Sequence, residues 1–467
     1  MTSPHHELEL ATFAATLDID GIPSSVLERA EDLFLDWIGS ALASKGARPV
    51  EALAKVMLAQ CGRRGRSEVL IHRLCTTPLA AATINAAASH YVEQDDVHNG
   101  SVFHPAAVVF PVALALSQDL GRSGAELLEA AIAGYEVGIR VGEYLGRPHY
   151  RIFHTTGTAG AIAAAVTAGR LLQLSAEQML WAIGSAGTQA AGLWEFLKDA
   201  ADSKQLHTAH AAGAGLTAAC LAKEGFTGAR RILTGDKGVA AGMSKDADPR
   251  MLLDGLGERW ALAETSFKFH ASCRHTHPAA DALQLLLKQH GLVANQIKTV
   301  EAHVHQGALD VLGPVTDPQT VHQSKFSMGT VLGLVAVRGG AALTDFDESY
   351  RAPEVIDFRG KVRMTLDAEV DSAYPAKWIG KVSVETIDGR RLNSRVDEPK
   401  GDPGNTLSRP ELEQKALQLA DYGRAADAAE MERVFGLVWS LRTLGAVPCL
   451  LQPMPGDRSS FVPVLHD

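Results

Sequence analysis

Carboxylates and imidazoles crowd one short stretch of this chain. Tyr91 to Pro105, YVEQDDVHNGSVFHP, holds Glu93, Asp95, Asp96, His98 and His104 between two Ala-rich apolar runs. These residue types suit proton transfer beside a carboxylate, because an imidazole titrates nearest neutral pH and a neighbouring acid orients it and raises its pKa. His104 is the candidate proton donor or acceptor, with Asp96 or Glu93 beside its ring. The flanking runs, 77–90 (TPLAAATINAAASH) and 106–118 (AAVVFPVALALSQ), carry a helical apolar pattern. The stretch is therefore expected to be a polar turn between buried helices. Asp is also an ordinary turn former, so the cluster alone fits a solvated turn equally well.

Further segments share this polar-among-apolar character. His154, in YRIFHTTG (150–157), directly precedes an Ala/Gly-rich helical run, and the free N–H groups of a helix N-terminus favour a carboxylate. DSKQLHTAH (202–210) spaces Lys204 and His207 to share one helix face, where a lysine binds a carboxylate or, with a lowered pKa, moves a proton. KFHASCRHTHP (268–278) gathers Lys268, His270, Cys273, Arg274, His275 and His277. Zinc is the rival use of imidazole and thiolate. One Cys among scattered His is a poor ligand pattern, however, and the chain has no HExxH, so no metal is expected. QSKFSMGT (323–330) reads as a plain helix face. With no GxxxxGK[ST], no dinucleotide fingerprint after a strand and no GxSxG, a nucleotide, flavin or serine-hydrolase reading has no support.

These segments must be held by the 467 residues as a whole, 46% of them hydrophobic but only 6% aromatic. Apolar mass made mainly of Ala, Leu and Val favours close-packed helices over an aromatic-rich β-sandwich. The formal charge of −10 argues against nucleic acid as a partner, while local cations can still hold a small anion. Five dispersed cysteines without a CxxC suit reduced thiols. MTSPHHELEL has no signal-peptide pattern and no long uncharged apolar run follows, so neither export nor a membrane span is expected, and the location expected is cytoplasmic.

Helical periodicity covers 6–17, 23–44, 123–145, 157–173, 176–190 and 207–224. The pattern changes near 264. Residues 297–306 alternate as a strand, 319–338 read as one longer apolar helix, and 360–371 and 380–397 read as strands, the latter turning at Asp388-Gly389. Helices return at 408–421, behind the capping pattern Ser408-Arg-Pro-Glu, and at 425–444. The expected fold is mainly α. A large helical domain built from both chain ends (1–263 and 404–467) carries an inserted, smaller α+β lid domain (264–403).

Taken in order, the DD-x-H turn followed by HP, the FH before a Thr/Gly/Ala helix, the SKxxH segment and the KxxxxCRxTH stretch resemble the MmgE/PrpD family over roughly residues 5 to 455. That family includes 2-methylcitrate dehydratase, cis-aconitate decarboxylase and iminodisuccinate epimerase. The resemblance implies a homodimer whose site lies between the two domains and needs no metal or organic cofactor. By motif position it implies Asp96, His104, His154, Lys204 and His277 as catalytic residues, and an acid at Glu93. The substrate-binding residues expected are Glu93, His98, His207, Lys268 and Arg274. Val97 stands where the family often has Thr, and Thr330 falls near a Tyr that some members carry. The activity implied is cofactor-free acid/base chemistry next to a carboxylate of a small di- or tricarboxylate. A 2-methylcitrate dehydratase comes first, a decarboxylase or epimerase as the alternative, and a non-catalytic carboxylate-binding protein as the alternative of another class.

Overall fold

Small residues let helix backbones approach closely, and the first half of the chain uses them that way. The computed structural model describes residues 5–199 and 201–452. Its helices include Ser24–Leu42, Pro78–Ser89, Ala106–Leu120, Gly124–Tyr150, Thr155–Leu171, Ala176–Gly187 and Ser203–Lys223. Thr155–Leu171 and Ser203–Lys223 pack so tightly that a Cβ on Gly215 would stand 2.5 Å from Ala161 O and Ala164 Cβ. Gly146, at φ 67°, breaks the long helix Gly124–Tyr150 just past the predicted end at 145. Among the described residues no strand lies between 100 and 220, and no helix is long and apolar enough to cross a membrane. The chain is mainly α, as its composition predicts.

The C-terminal helices Arg409–Tyr422 and Ala428–Trp439 pack back onto Ser24–Leu42. Ser408 and Glu411 form the predicted capping box, and Lys415 pairs with Asp36 at 2.6 Å. One apolar core accordingly joins side chains from Leu10 to Phe267 with others from Leu407 to Leu451, including the buried Phe34, Trp37 and Phe110. A second core draws mainly on residues 271–384, with Ala43, Val92 and Leu419 added from the helical side.

A four-stranded sheet carries that second core. Its order is Val362–Leu366, Ile297–Val304, Gly380–Thr386, Arg391–Val396, with the first pair parallel and the others antiparallel. Gly380–Thr386 alternates strictly between buried and half-buried positions, and helix His277–His290 packs against it. The approach is close enough that a Cβ on Gly380 would overlap the Pro278 carbonyl. Two expected boundaries differ. The helix expected over 319–338 is two pieces, Val321–Ser324 and Met328–Arg338, because Ser327 caps a fresh start by accepting from Thr330 N. The strand expected over 360–371 ends at Leu366, where Asp367 caps the short helix Ala368–Ala373.

A short ribbon connects the two cores beside the acidic turn. Val97–His98 pairs antiparallel with Thr265–Ser266, and Phe267 N then bonds Gly401 O at 2.9 Å. Three separated parts of the chain are thereby brought together: the turn, the segment leading to Lys268, and the return near 401.

Candidate active site

The turn after helix Pro78–Ser89 places its acids by backbone geometry. Glu93 takes a left-handed conformation, φ 62°, rare for a residue with a side chain. Its buried carboxylate accepts from Lys204 Nζ on one oxygen and from Lys268 Nζ at 3.0 Å on the other. Burial alone would raise its pKa, but Lys204 and then Lys268 outweigh burial and hold Glu93 well below the usual carboxylate range. Burial tends to lower the pKa of Lys268, yet Glu93 and Asp95 bring it out above the ordinary lysine value. A third buried ammonium, Lys325, bonds Val92 O at 3.3 Å; burial drops its pKa to about 8.

Asp95 and Asp96 face opposite ways. Asp95 Oδ2 accepts from His90 Nδ1 at 2.6 Å and faces His104 Nδ1 at 3.3 Å. The Asp96 carboxylate instead accepts from Ala106 N (3.0 Å) and Tyr135 Oη (2.8 Å), bracing the turn against the next helices. Asp96 reaches His104 through its backbone: His104 Nδ1 donates to Asp96 O at 2.5 Å. A carbonyl only accepts, so Nδ1 carries the proton, and Nε2 keeps a lone pair that no described residue engages. The expectation that a neighbouring acid raises the pKa of His104 is not met. Burial lowers it, Asp95 opposes, and Lys268 and Lys204 lower it further.

A row of imidazoles continues from there. The His90 ring meets that of His104 edge-on at 4.8 Å and stacks on His154 at 5.2 Å. His154 precedes helix Thr155–Leu171, as expected; its Nδ1 lies 3.3 Å from His207 Nδ1, and its buried Nε2 has no hydrogen-bond partner. Burial, then the neighbouring His90, His207 and Lys204, holds His154 far below the ordinary histidine value. Lys204 and His207 share a face of Ser203–Lys223, Lys204 buried and His207 half-buried. Glu93, His104, His154, Lys204, His207 and Lys268 therefore converge.

The structure does not bring the other expected residues to that point. His98 Nδ1 accepts from Ser101, and its Nε2 donates to Glu264 at 3.4 Å, in a separate cleft where Arg259 bridges Glu143 and Glu264. Arg274 is spent on Asp402, Asn99 and His277. Both ring nitrogens of His277 are engaged in its own loop, Nε2 with Ser272 O and Nδ1 with Arg274. The neighbour His275 is the freer imidazole. His305 accepts from Ala308 N through Nδ1, so its Nε2–H donates to His275 Nδ1 at 3.4 Å, leaving the His275 Nε2–H buried and unpaired. Burial, then His305, Arg274, Lys268 and His104, lowers the pKa of His275. His90, Asp95, His275 and Lys325 were not singled out as site residues from sequence. Thr330 is buried, with its hydroxyl bonded to Ser327 Oγ at 3.1 Å.

Beside the His104 ring stand the buried Lys204 and Lys268 with Glu93 as their shared counter-charge, and a third buried lysine, Lys325, lies against Val92 O; such local cations suit a polyanion. His90, Asp95 and His104 also offer three metal-ligand atoms within 4.8 Å of one another. His90 Nδ1 donates to Asp95 and His104 Nδ1 to Asp96 O, while His90 Nε2 and Asp95 Oδ1 are buried without a hydrogen-bond partner among the described residues. Asp95, despite burial, is held well below the usual carboxylate range by His90 and His104.

So many buried neutral imidazoles make stability depend on pH. Burial lowers His90, His149 and His207 to about 4 and His305 to about 3. The unfolded chain takes up these protons near pH ~6.5 while the folded chain refuses them, so the stabilisation is complete above that pH and is lost as pH falls. The melting temperature is expected to fall steadily from about pH 6.5 to about pH 4, with several protons taken up on unfolding. Calorimetry across that range checks it, and a flat profile would contradict the burial of these rings.

The MmgE/PrpD N-terminal domain model matches residues 8–252, and the MmgE/PrpD C-terminal domain model matches residues 270–441. Cis-aconitate decarboxylase of Aspergillus terreus is 28% identical over 470 residues, covering 95% of this chain and 94% of that protein. The cis-aconitate decarboxylase-like protein oryM of Aspergillus oryzae is 27% identical, covering 96% and 97%. Human cis-aconitate decarboxylase is 26% identical, covering 84% and 83%.

Proposed function

Because this chain belongs to the MmgE/PrpD family, we propose that it is a cofactor-independent lyase that decarboxylates a cis-aconitate-type polycarboxylate. The observation that carries the reading is the His104 imidazole, with its Nε2 open, beside the buried Lys204 and Lys268 and their shared counter-ion Glu93. The relatives' names favour decarboxylation over the dehydration expected first from sequence.

Cis-aconitate bears a –CH2–COO⁻ group on an alkene carbon. Breaking the bond from that methylene to its carboxylate releases CO2, and the electron pair becomes a terminal C=C. The old π pair then takes a proton at the alkene CH, so one proton is consumed for each CO2 released. In this reading Lys204, Lys268 and the unpaired His275 Nε2–H hold the carboxylates that stay. His104 delivers the proton from Nε2. Burial keeps the ring neutral at rest, and the arriving polyanion raises its affinity for a proton while Asp95 stabilises the imidazolium. His154 borders the same space. Asp96, Arg274, His277 and His98 act as positioning residues, residues 264–403 close as a lid over 1–263 and 404–467, and the chain works as a homodimer in the cytoplasm.

The test is product NMR on cis-aconitate, 2-methylcitrate and iminodisuccinate. CO2 with a terminal-alkene dicarboxylate from cis-aconitate is the expected result. Water loss from 2-methylcitrate without CO2 would make the enzyme a dehydratase, and binding of all three with no reaction would make it a binding protein. Turnover is expected to survive exhaustive chelation unchanged, checked by metal analysis and rate on one preparation.

A further inference from the structure

Two aromatic rings at the candidate site also wall a groove that the proposed chemistry does not use. The Trp194 ring lies 4.7 Å from that of His154, and the Phe326 ring lies 5.4 Å from Lys204 Nζ. The same rings line a cavity of about 480 Å³, within the range of small-molecule pockets. Its other apolar walls come from both sides of the boundary, Ile152 and Leu193 on one and Val311 and Val315 on the other. Ile152 and Leu193 are each 55% exposed, so they show bare hydrocarbon to a concave space. Its charged lining is mixed, Arg151 and Lys198 with Glu195 and Asp310, and Lys198 is paired with Glu195 at 2.8 Å, so the groove offers apolar surface more than a dedicated anion site.

We propose that this groove receives an unbranched alkyl substituent on the acid that the enzyme processes. The proposal rests on the polycarboxylate reading: the carboxylate head lies at Lys204 and His154, and the tail runs out beside Trp194 and Phe326. A tail anchored this way is continuous with the reacting group, so its burial contributes to binding of the whole molecule. Unsubstituted tricarboxylates leave the groove empty and are the poorer ligands.

The probes are 2-alkylsuccinates from methyl to octyl, unreactive dicarboxylates whose Kd is read by calorimetry on the full-length protein. Each added methylene is expected to tighten binding about fourfold until the groove is filled, the fold-change that corresponds to ~0.8 kcal/mol per buried CH2. Ile152→Asp and Leu193→Asp, at exposed positions that tolerate a carboxylate, are expected to flatten that slope while succinate itself binds as before. A Kd independent of chain length, no binding by any member, or a slope unchanged in both variants would overturn the groove assignment. Failure of the chemistry reads differently. A chain-length slope without CO2 release from alkylated cis-aconitates upholds the groove and removes the decarboxylase reading.

Discussion

His104→Ala is expected to lower turnover by ~10²-fold or more while the protein still folds, the usual scale for losing a positioned general acid or base. The ring is aimed by two acceptors on one nitrogen, Asp96 O at 2.5 Å and Asp95 Oδ2 at 3.3 Å, which leaves Nε2 as the working atom. A purely bracing role would show as a fall in melting temperature with near-normal turnover in whatever remains folded, so both are measured on the same preparation. A pH profile adds a signature that bracing would not give. In the free enzyme burial keeps the His104 pKa below the ordinary 6.5, and kcat/KM reports that state. Bound polyanion favours the imidazolium, so the pKa seen in kcat is expected to lie higher than the one seen in kcat/KM. Asp95→Asn should lower both values, because it removes a charge that stabilises protonated His104 in either state. A folded His104→Ala protein with wild-type turnover would end the assignment.

Much of this arrangement was legible in the chain because it is local. Helix periodicity, the capping box at Ser408 and the hairpin turn at Asp388-Gly389, where Gly389 takes φ 85°, are all decided within a few residues. What sequence order cannot convey is the direction a side chain takes once distant helices arrive. Asp95 and Asp96 are adjacent and chemically alike. Tyr135 and Ala106 N claim the Asp96 carboxylate, and that leaves Asp95 for the imidazoles. His275 and His277 divide in the same way, because Arg274 and Ser272 O occupy His277. His90 closes the Ala-rich run 77–90, where nothing in its sequence neighbours marks it; its role emerges from Asp95, five residues on, folding back to it. The break near 327 escaped because apolar spacing continues through it while Ser327 restarts the helix. The choice between dehydration and decarboxylation was illegible for another reason. Both need the same cations and proton, and they differ in where the leaving group sits.

Glu93→Gln should give the largest loss of stability. The wild-type carboxylate lies between two buried ammonium groups, and its left-handed backbone holds it there. A neutral amide of the same shape leaves both charges without their shared partner, and breaking a buried ion pair from one side costs about 3–5 kcal/mol. The sign with pH follows from the depressed carboxylate. Glu93 contributes stability above its unfolded pKa of about 4.3 and loses it as pH falls toward its much lower folded value, so the variant should lack part of the wild type's acid sensitivity below that point. Two further measurements separate structure from chemistry. A dicarboxylate ligand should raise the melting temperature more in Glu93→Gln than in wild type, because its carboxylate fills the place that Glu93 left. Replacing all three partners, as Glu93→Gln with Lys204→Met and Lys268→Met, should recover much of the stability, since the two ammonium charges that Glu93→Gln leaves unpaired are then gone. The same triple variant should remain inactive, because the cations that hold substrate are gone. Unfolding by denaturant and turnover on each preparation decide the matter. A Glu93→Gln protein as stable as wild type would show that Lys204 and Lys268 do not depend on this carboxylate, and a triple variant that still turns over would remove them from the site.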